Sequence, residues 1–191
     1  MKFDPETHKY YDDNGTEYPS VTTLIGEAWP IDKRWFKPEN AEYGIAVHEL
    51  TAAIDFANIT IDDLVGTEHY SACHSWYTFT QRLNPELVPM GVERPFIHHG
   101  LRFAGTVDRL WKLDGVYTLV DIKTGAPSKW HELQLGAYAL GLKESDIEVS
   151  RGIVALVPRE GATRIKEVDV QAGAEAFRAL RRWQLYRESF R

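Results

Sequence analysis

The chain has 191 residues, 43% hydrophobic and 26% charged, with a formal net charge of -6; this balance fits one globular domain, residues 1–191, with a sizeable core. Its single cysteine, Cys73, excludes an intrachain disulfide and a four-cysteine cluster. No apolar run approaches the roughly 20 residues that span a bilayer, and Met1-Lys2-Phe3-Asp4-Pro5 lacks a signal peptide's apolar stretch, so a reducing, cytoplasmic setting without a membrane partner is expected.

Residues 8–18 alternate around Asp13-Asn14-Gly15, which predicts a hairpin. Ser20 is a natural N-cap for a helix opening at Val21. Trp29 to Pro38 reads as an aromatic, basic loop, and residues 39–57 and 68–83 as helices, the second ended by Asn84-Pro85. Strands are predicted at 87–98, 101–113 and 116–123, the last two joined through Asp114-Gly115. A helix over 129–142, a strand over 147–157, an edge strand over 163–170 and a closing helix over 171–188 complete the chain. This order predicts an α/β fold: a hairpin and helical part over 1–85, then a mixed β-sheet flanked by helices over 86–191.

The chemistry concentrates at Gly105-Thr106-Val107-Asp108 and Leu119-Val120-Asp121-Ile122-Lys123. Asp121 and Lys123 are two residues apart, so a strand points both to one face, and the adjacent strand can bring Asp108 alongside. Two carboxylates beside a scissile phosphate repel one another by on the order of 4 kcal/mol per unit pair at about 4 Å and an effective dielectric near 20. A divalent cation converts that repulsion into attraction and activates water, and the Lys123 ammonium adds a compact charge for the transition state. The Ile122 carbonyl could complete the coordination sphere. An isolated Asp-x-Lys is more often a minor surface ion pair, so the further residues matter. His48, on a predicted helix, offers an imidazole ligand, and Gln134 and Tyr138, four residues apart, share a helix face. A net negative charge is unusual for a protein that coats phosphates, although bound divalent ions reverse the sign locally.

Gly44-x-x-x-His48, Gly105-Thr106-Val107-Asp108, Asp121-Ile122-Lys123 and Gln134-x-x-x-Tyr138 stand in the order and approximate spacing of RecB-type nucleases of the PD-(D/E)XK superfamily. The chain resembles the compact phage-type and mitochondrial-genome-maintenance-type exonucleases of that superfamily over about residues 18–157, including Tyr18-Pro19-Ser20-Val21-Thr22. The resemblance implies a restriction-endonuclease-like sheet and Mg²⁺- or Mn²⁺-dependent hydrolysis of DNA, with one or two ions. In-line attack by water would leave a 5′-phosphate and a 3′-hydroxyl. By motif match, His48, Asp108, Asp121 and the Ile122 carbonyl would bind metal. Lys123 would assist the water, Gln134 and Tyr138 would support the site and contact the strand, and Ser20 would contact substrate. A single strand in the site, a single-strand annealing or binding protein as partner, and a homo-oligomer follow by the same analogy. The implied setting is recombination, repair or phage DNA processing in the cytoplasm of a bacterial or phage-infected host cell. No iron–sulfur cluster fits one cysteine, and no Gly-x-x-x-x-Gly-Lys-Ser/Thr loop is present to bind ATP. Two other readings remain: a structure-specific endonuclease, and a catalytically inert nucleic-acid-binding module on the same fold.

Several further residues carry two readings. Glu93 precedes the metal strands and offers an additional carboxylate, or faces solvent. Arg109, beside Asp108, touches phosphate or pairs with an acid. Lys33, Arg34 and Lys37, interleaved with Trp29, Trp35 and Phe36, form either a stacking and charge-tracking surface for single strands or a loop packed over a helix. His98 and His99, adjacent on a strand, point to opposite faces and are read as structural. Arg178, Arg181, Arg182, Arg187 and Arg191 read as a solvated helix face.

Overall fold

The computed structural model describes every residue except 6, 8, 30–36, 127 and 191. Three short strands open the chain: β1 (Lys2–Asp4), β2 (Lys9–Tyr11) and β3 (Glu17–Pro19), paired antiparallel in that order. The β2–β3 turn forms as its residues predict. Gly15 takes φ 79°, and the Asp12 carboxylate accepts from the Asn14 and Thr16 N–H groups at 2.9 and 2.8 Å. β1 is an addition to the predicted hairpin.

Helix α1 (Val21–Ala28) is capped by Ser20, whose side chain accepts from the Thr23 N–H at 3.1 Å. Helices α2 (Pro38–Asp55) and α3 (Tyr70–Leu83) follow. Pro38 opens α2, where a missing N–H costs nothing. Asn84 ends α3 in the left-handed conformation, φ 45°.

The main sheet has the order β4 (Glu86–His98), β5 (Phe103–Leu113), β6 (Val116–Lys123), β7 (Arg151–Leu156) and β8 (Arg164–Val168). Its pairings are antiparallel except β6–β7, which run parallel because helix α4 (Trp130–Lys143) carries the chain across between them. Helix α5 (Val170–Glu188) closes the chain. The architecture is thus the predicted mixed sheet between helices, with strand β7 beginning at Arg151 rather than 147.

Strand alternation divides the core. Leu110, Leu119 and Val154 face a cluster with α1, α4 and α5. Trp111, Val120, Ile122 and Ile153 face the opposite cluster with Tyr43, Val47 and Trp76 of α2 and α3. Helices α4 and α5 cross at glycines: a Cβ on Gly136 would lie 2.1 Å from the Gly173 carbonyl carbon and the Ala174 nitrogen. The small sheet packs on β5 through Tyr10, Tyr18 and Ala104, and the Tyr10 hydroxyl lies 3.0 Å from Thr106 Oγ1.

One expectation about α5 is corrected. Arg178, Arg182 and Arg187 are exposed, but Arg181 is buried, donating to the Leu101 and Arg102 carbonyls at 2.9 and 3.0 Å and to Glu188 at 2.8 Å. It satisfies main-chain oxygens of the β4–β5 turn that the strand ladder leaves unpaired. Residue 191 lies outside the described residues. His98 and His99 take structural places: a main-chain N–H reaches His98 Nδ1 from Leu101 at 3.3 Å, and Tyr18 meets His99 at 3.0 Å. No helix among the described residues is long and apolar enough to cross a membrane.

Candidate metal centre

The β5–β6 ladder has its last pair at Arg109 and Val120. One step further, the Ile122 N–H donates to the Asp108 side chain, Oδ2 at 2.7 Å. Asp108 is therefore anchored where the strands stop pairing, and it is buried. On β6, alternation places Asp121 and Lys123 on the same face as Leu119. Lys123 Nζ donates to Asp121 Oδ1 at 2.8 Å and stands at the same distance from Oδ2. That Oδ2 is buried and takes no hydrogen bond of its own, so the Lys123 ammonium is its ionic partner.

From α2, His48 Nε2 lies 2.9 Å from the Ile122 carbonyl oxygen. A carbonyl only accepts, so Nε2 carries the proton and Nδ1 presents its lone pair. That Nδ1 is 3.6 Å from Asp108 Oδ2. Glu93 joins them from β4. The β4–β5 register shifts between Leu87 and Val92, and both Met90 and Glu93 take positive φ, 55° and 47°. A Cβ on Gly91 would meet the Leu110 oxygen at 2.4 Å, so this irregularity needs glycine. The bulge re-aims Glu93 toward Asp108. One donor atom each from His48, Glu93 and Asp108 falls within 4.8 Å of the other two.

These donors fit a hard divalent cation. Octahedral Mg²⁺ with ligands at roughly 2.1 Å sets neighbouring donors ~3.0 Å and opposite donors ~4.2 Å apart, and the His48–Asp108 separation of 3.6 Å lies between these limits. Electrostatics agree. Burial pushes the Asp121 carboxyl up to about 7, with Asp108 adding to the shift and Lys123 opposing it. Burial, then Asp108, pushes Glu93 up to about 7 while Arg109 opposes. Burial alone would lower Lys123, yet Asp121 and Asp108 hold it above the ordinary lysine value, so it remains an ammonium. Acids raised by burial and by the Asp108 charge are a place where a cation is favoured.

Behind the sheet stands a cation the sequence left with two readings. Arg109 is wholly buried. Its Nε donates to Asp55 at 2.5 Å, and Nη1 to Glu93 at 3.1 Å and to the Asp108 carbonyl at 2.7 Å. Nη2 donates to Thr51 at 3.1 Å. Trp76 Nε1 also donates to Asp55. Contact with phosphate is therefore excluded: Arg109 pairs with acids because its strand position, one after Asp108, turns it to the opposite face. Thr51 and Asp55 went unnoticed in the sequence, although each lies on the helix of His48, three and seven residues on.

Three other predicted positions change character. Ser20 is 5% exposed, and its hydroxyl is engaged in capping α1 and meets Thr22 and Thr23 at 3.0 and 2.8 Å. Tyr138 is buried and accepts from Gln134 Nε2 at 2.6 Å; Gln134 alone of the two borders the groove. The Ile122 carbonyl accepts the His48 bond described above rather than standing free. Asp121 meets Lys123 and lies outside the compact His48–Glu93–Asp108 group. Lys33, Arg34, Trp35 and Phe36 lie outside the described residues. His131, unpredicted, is buried beside the site and accepts from the Ser128 N–H at 3.3 Å; burial, with Lys123 and Lys166, lowers it to about 4, so it is neutral.

The centre opens into a groove of about 990 Å³ bordered by His48, Glu93, Asp108, Lys123 and Gln134. The sequence profile of the PD-(D/E)XK nuclease superfamily matches residues 34–187. The chain belongs to the PD-(D/E)XK nuclease superfamily. Its members are nucleases that use divalent metal ions, and the sheet with its flanking helices is the restriction-endonuclease-like fold. No curated protein matches the chain. A solved structure described as "Crystal structure of SSO0001" aligns over 84% of this chain and 84% of its own, at 14% identity and a TM-score of 0.34; at that score the likeness adds nothing to the assignment.

Proposed function

We propose that this PD-(D/E)XK protein is a Mg²⁺- or Mn²⁺-dependent DNA exonuclease acting in DNA recombination, repair or phage DNA processing. The observation that carries the reading is the convergence of one ligand atom each from His48, Glu93 and Asp108 within 4.8 Å, next to the Asp121–Lys123 pair. His48, Glu93 and Asp108 would hold the ion, with Asp121, ion-paired to Lys123 through both oxygens, able to join them. When bound, the ion supplies Lewis-acid stabilisation of phosphoryl charge and makes water a nucleophile near neutral pH.

The remaining roles belong to the chain's own groups. Lys123 places an ammonium at the groove beside the acids, where it stabilises negative charge developing on the phosphate. The His48 Nε2–H bond to Ile122 fixes the imidazole's tautomer and orientation. Gln134, braced by Tyr138, borders the position of the strand. An intact set of acids and lysine supports an active enzyme over an inert binding module.

The test is incubation with end-labelled single-stranded, duplex and circular single-stranded DNA in Mg²⁺, Mn²⁺ or EDTA. Metal-dependent release of nucleotides from linear DNA is expected, with circular DNA intact. Asp108→Ala and Lys123→Ala should abolish release while circular dichroism stays native. Cleavage in EDTA, or full activity in either variant, defeats the proposed site. Cleavage of the circle defeats the exonuclease assignment in favour of a structure-specific endonuclease.

A further inference from the structure

The closing helix α5 carries apolar residues on two opposite faces. Val170, Gly173, Ala174, Phe177, Arg181 and Gln184 turn into the domain. At 3.6 residues per turn, Ala172, Ala176, Ala179, Trp183, Tyr186 and Phe190 fall on the side that faces away from them, and all six are exposed. Ser189 keeps helical backbone angles, so Phe190 continues the row. The spacings along the row alternate between four and three residues, the heptad pattern of a helix that packs against another helix. Trp183, Tyr186 and Phe190 are 55%, 64% and 71% exposed. They are ordered at the surface: the Arg187 guanidinium lies over the Trp183 ring at 4.7 Å, and the Tyr186 and Phe190 rings meet edge to face at 4.8 Å. One apolar stripe anchors a surface helix to its own domain; a second, contiguous one marks an interaction surface.

The row is graded, with alanines along its first half and aromatics along its second. A second α5 laid antiparallel, Arg181 level with Arg181, sets Ala172 opposite Phe190, Ala176 opposite Tyr186 and Ala179 opposite Trp183. Every layer then joins a small side chain to a large one, which lets two helices interdigitate. A parallel pair would set ring against ring at one end and leave alanines facing a void at the other. Beside Ala172 and Ala176 runs a groove of about 490 Å³ between α5 and α4, walled by Trp29, Trp130 and Leu133. We propose that two copies of this chain associate through antiparallel pairing of their α5 helices, the aromatic end of each seated along the α4–α5 groove of the other. The contact is two-fold and closed. At about 150–250 Å² per aromatic side chain, the exposed shares of the aromatics of both copies supply roughly 600–900 Å². That is half or more of the ~1,200 Å² at the low end of stable interfaces, and the facing alanines and groove walls add to it. The pairing uses none of the nuclease motifs and stands whatever the metal centre cleaves.

Sedimentation equilibrium of the whole chain tests it, with circular dichroism as the check on folding. The wild-type protein should sediment at twice its chain mass of 21.9 kDa at a concentration of about 100 μM, which saturates a micromolar interface. Trp183→Glu should raise the dimer dissociation constant at least about a hundredfold, because each pair loses two central aromatics and gains two buried charges. Its circular dichroism should stay native, since Trp183 is exposed on the single copy. Ala179→Trp should also dissociate the pair, by overfilling the layer that it shares with Trp183 of the second copy. Adding Trp183→Ala exchanges small and large within that layer and should bring the dissociation constant back to within about tenfold of wild type. Antiparallel register alone produces this rescue. A wild-type monomer at that concentration overturns the proposal and leaves the stripe to a different protein. A dimer indifferent to Trp183→Glu, or a double variant as weak as Ala179→Trp, overturns it as well.

Discussion

Removing Arg109 should be one of the most damaging single changes near the metal centre, and it should invert the effect of neutralising Asp55. In Arg109→Leu, the Asp55 side chain, 9% exposed, loses its ion pair and keeps the Trp76 N–H bond. Glu93 and Thr51 lose a donor as well. Breaking a buried pair by deleting one partner costs about 3–5 kcal/mol. At about 2–4 °C per kcal/mol for a chain of this size, the melting temperature should fall by about 6–20 °C. Asp55 is already raised by burial, with Arg109 opposing, so the variant's carboxyl should rise further and the deficit should shrink as pH falls. Asp55→Asn alone should destabilise, because it leaves a buried guanidinium short of an acid. In the Arg109→Leu background the same change should stabilise, because it neutralises the orphaned carboxylate. Differential scanning calorimetry of the four metal-free proteins at pH 7 and pH 5 measures all of this. A loss below 3 °C in Arg109→Leu, or Asp55→Asn harmful in both backgrounds, would refute the account.

Other consequences are separable. Asp121 and Glu93 both hold protons in the folded, metal-free state up to about 7, while an unfolded carboxyl gives up its proton near 4. The folded state therefore binds the extra protons in that window, and its stability should fall as pH rises from about 4 to about 7. Saturating Mn²⁺, which competes with those protons, should reverse the trend; a metal-free melting temperature that climbs across the window contradicts the assignment. His48→Ala should weaken Mn²⁺ binding by at least tenfold in calorimetric titration and weaken Mg²⁺ less, since an imidazole favours the transition metal; an equal loss for both ions would remove His48 from the ligand set. Gly136→Ala should cost more than the roughly 1–3 kcal/mol of ordinary overpacking, because the new methyl meets the backbone of α5 at 2.1 Å; a melting temperature within 2 °C of wild type would refute that crossing.

Local signals account for what was legible in the sequence. Asn14-Gly15 announced its turn, Ser20 its helix, Asn84-Pro85 its stop, and period-two runs the central strands, because each depends on neighbours in the chain. The family motifs likewise placed Asp108, Asp121 and Lys123 on adjacent strands. Two features stayed between two readings for a physical reason. Glu93 reaches the centre only because the β4 bulge takes a positive-φ conformation at a residue other than glycine, and strand alternation alone does not foresee a bulge. Arg109 and Asp55 meet across 54 residues of sequence, where no local pattern operates.

These two features belong together. The Asp108 charge opposes ionisation of Glu93, at a cost on the order of 4 kcal/mol for a unit pair ~4 Å apart at an effective dielectric near 20. Without metal, some opposing charge must hold the acids in place. Arg109 provides it, with one Nη1 bond to the Glu93 carboxylate and another to the Asp108 carbonyl. It does so from the far side of the sheet, where Asp55, Thr51 and Trp76 surround it. Because Asp108 and Arg109 are consecutive on one strand, a single stretch of β5 sends an anion toward the metal and a cation into the α2–α3 layer. The helix that positions Arg109 through Thr51 and Asp55 also presents His48 to the metal. Loosening this buried ion pair should therefore disturb the metal ligands, so Arg109→Lys, which keeps the charge but not the five-donor fork, should reduce Mn²⁺ affinity by about 10–100-fold. An unchanged Mn²⁺ affinity in calorimetric titration would show that Arg109 does not position the ligands.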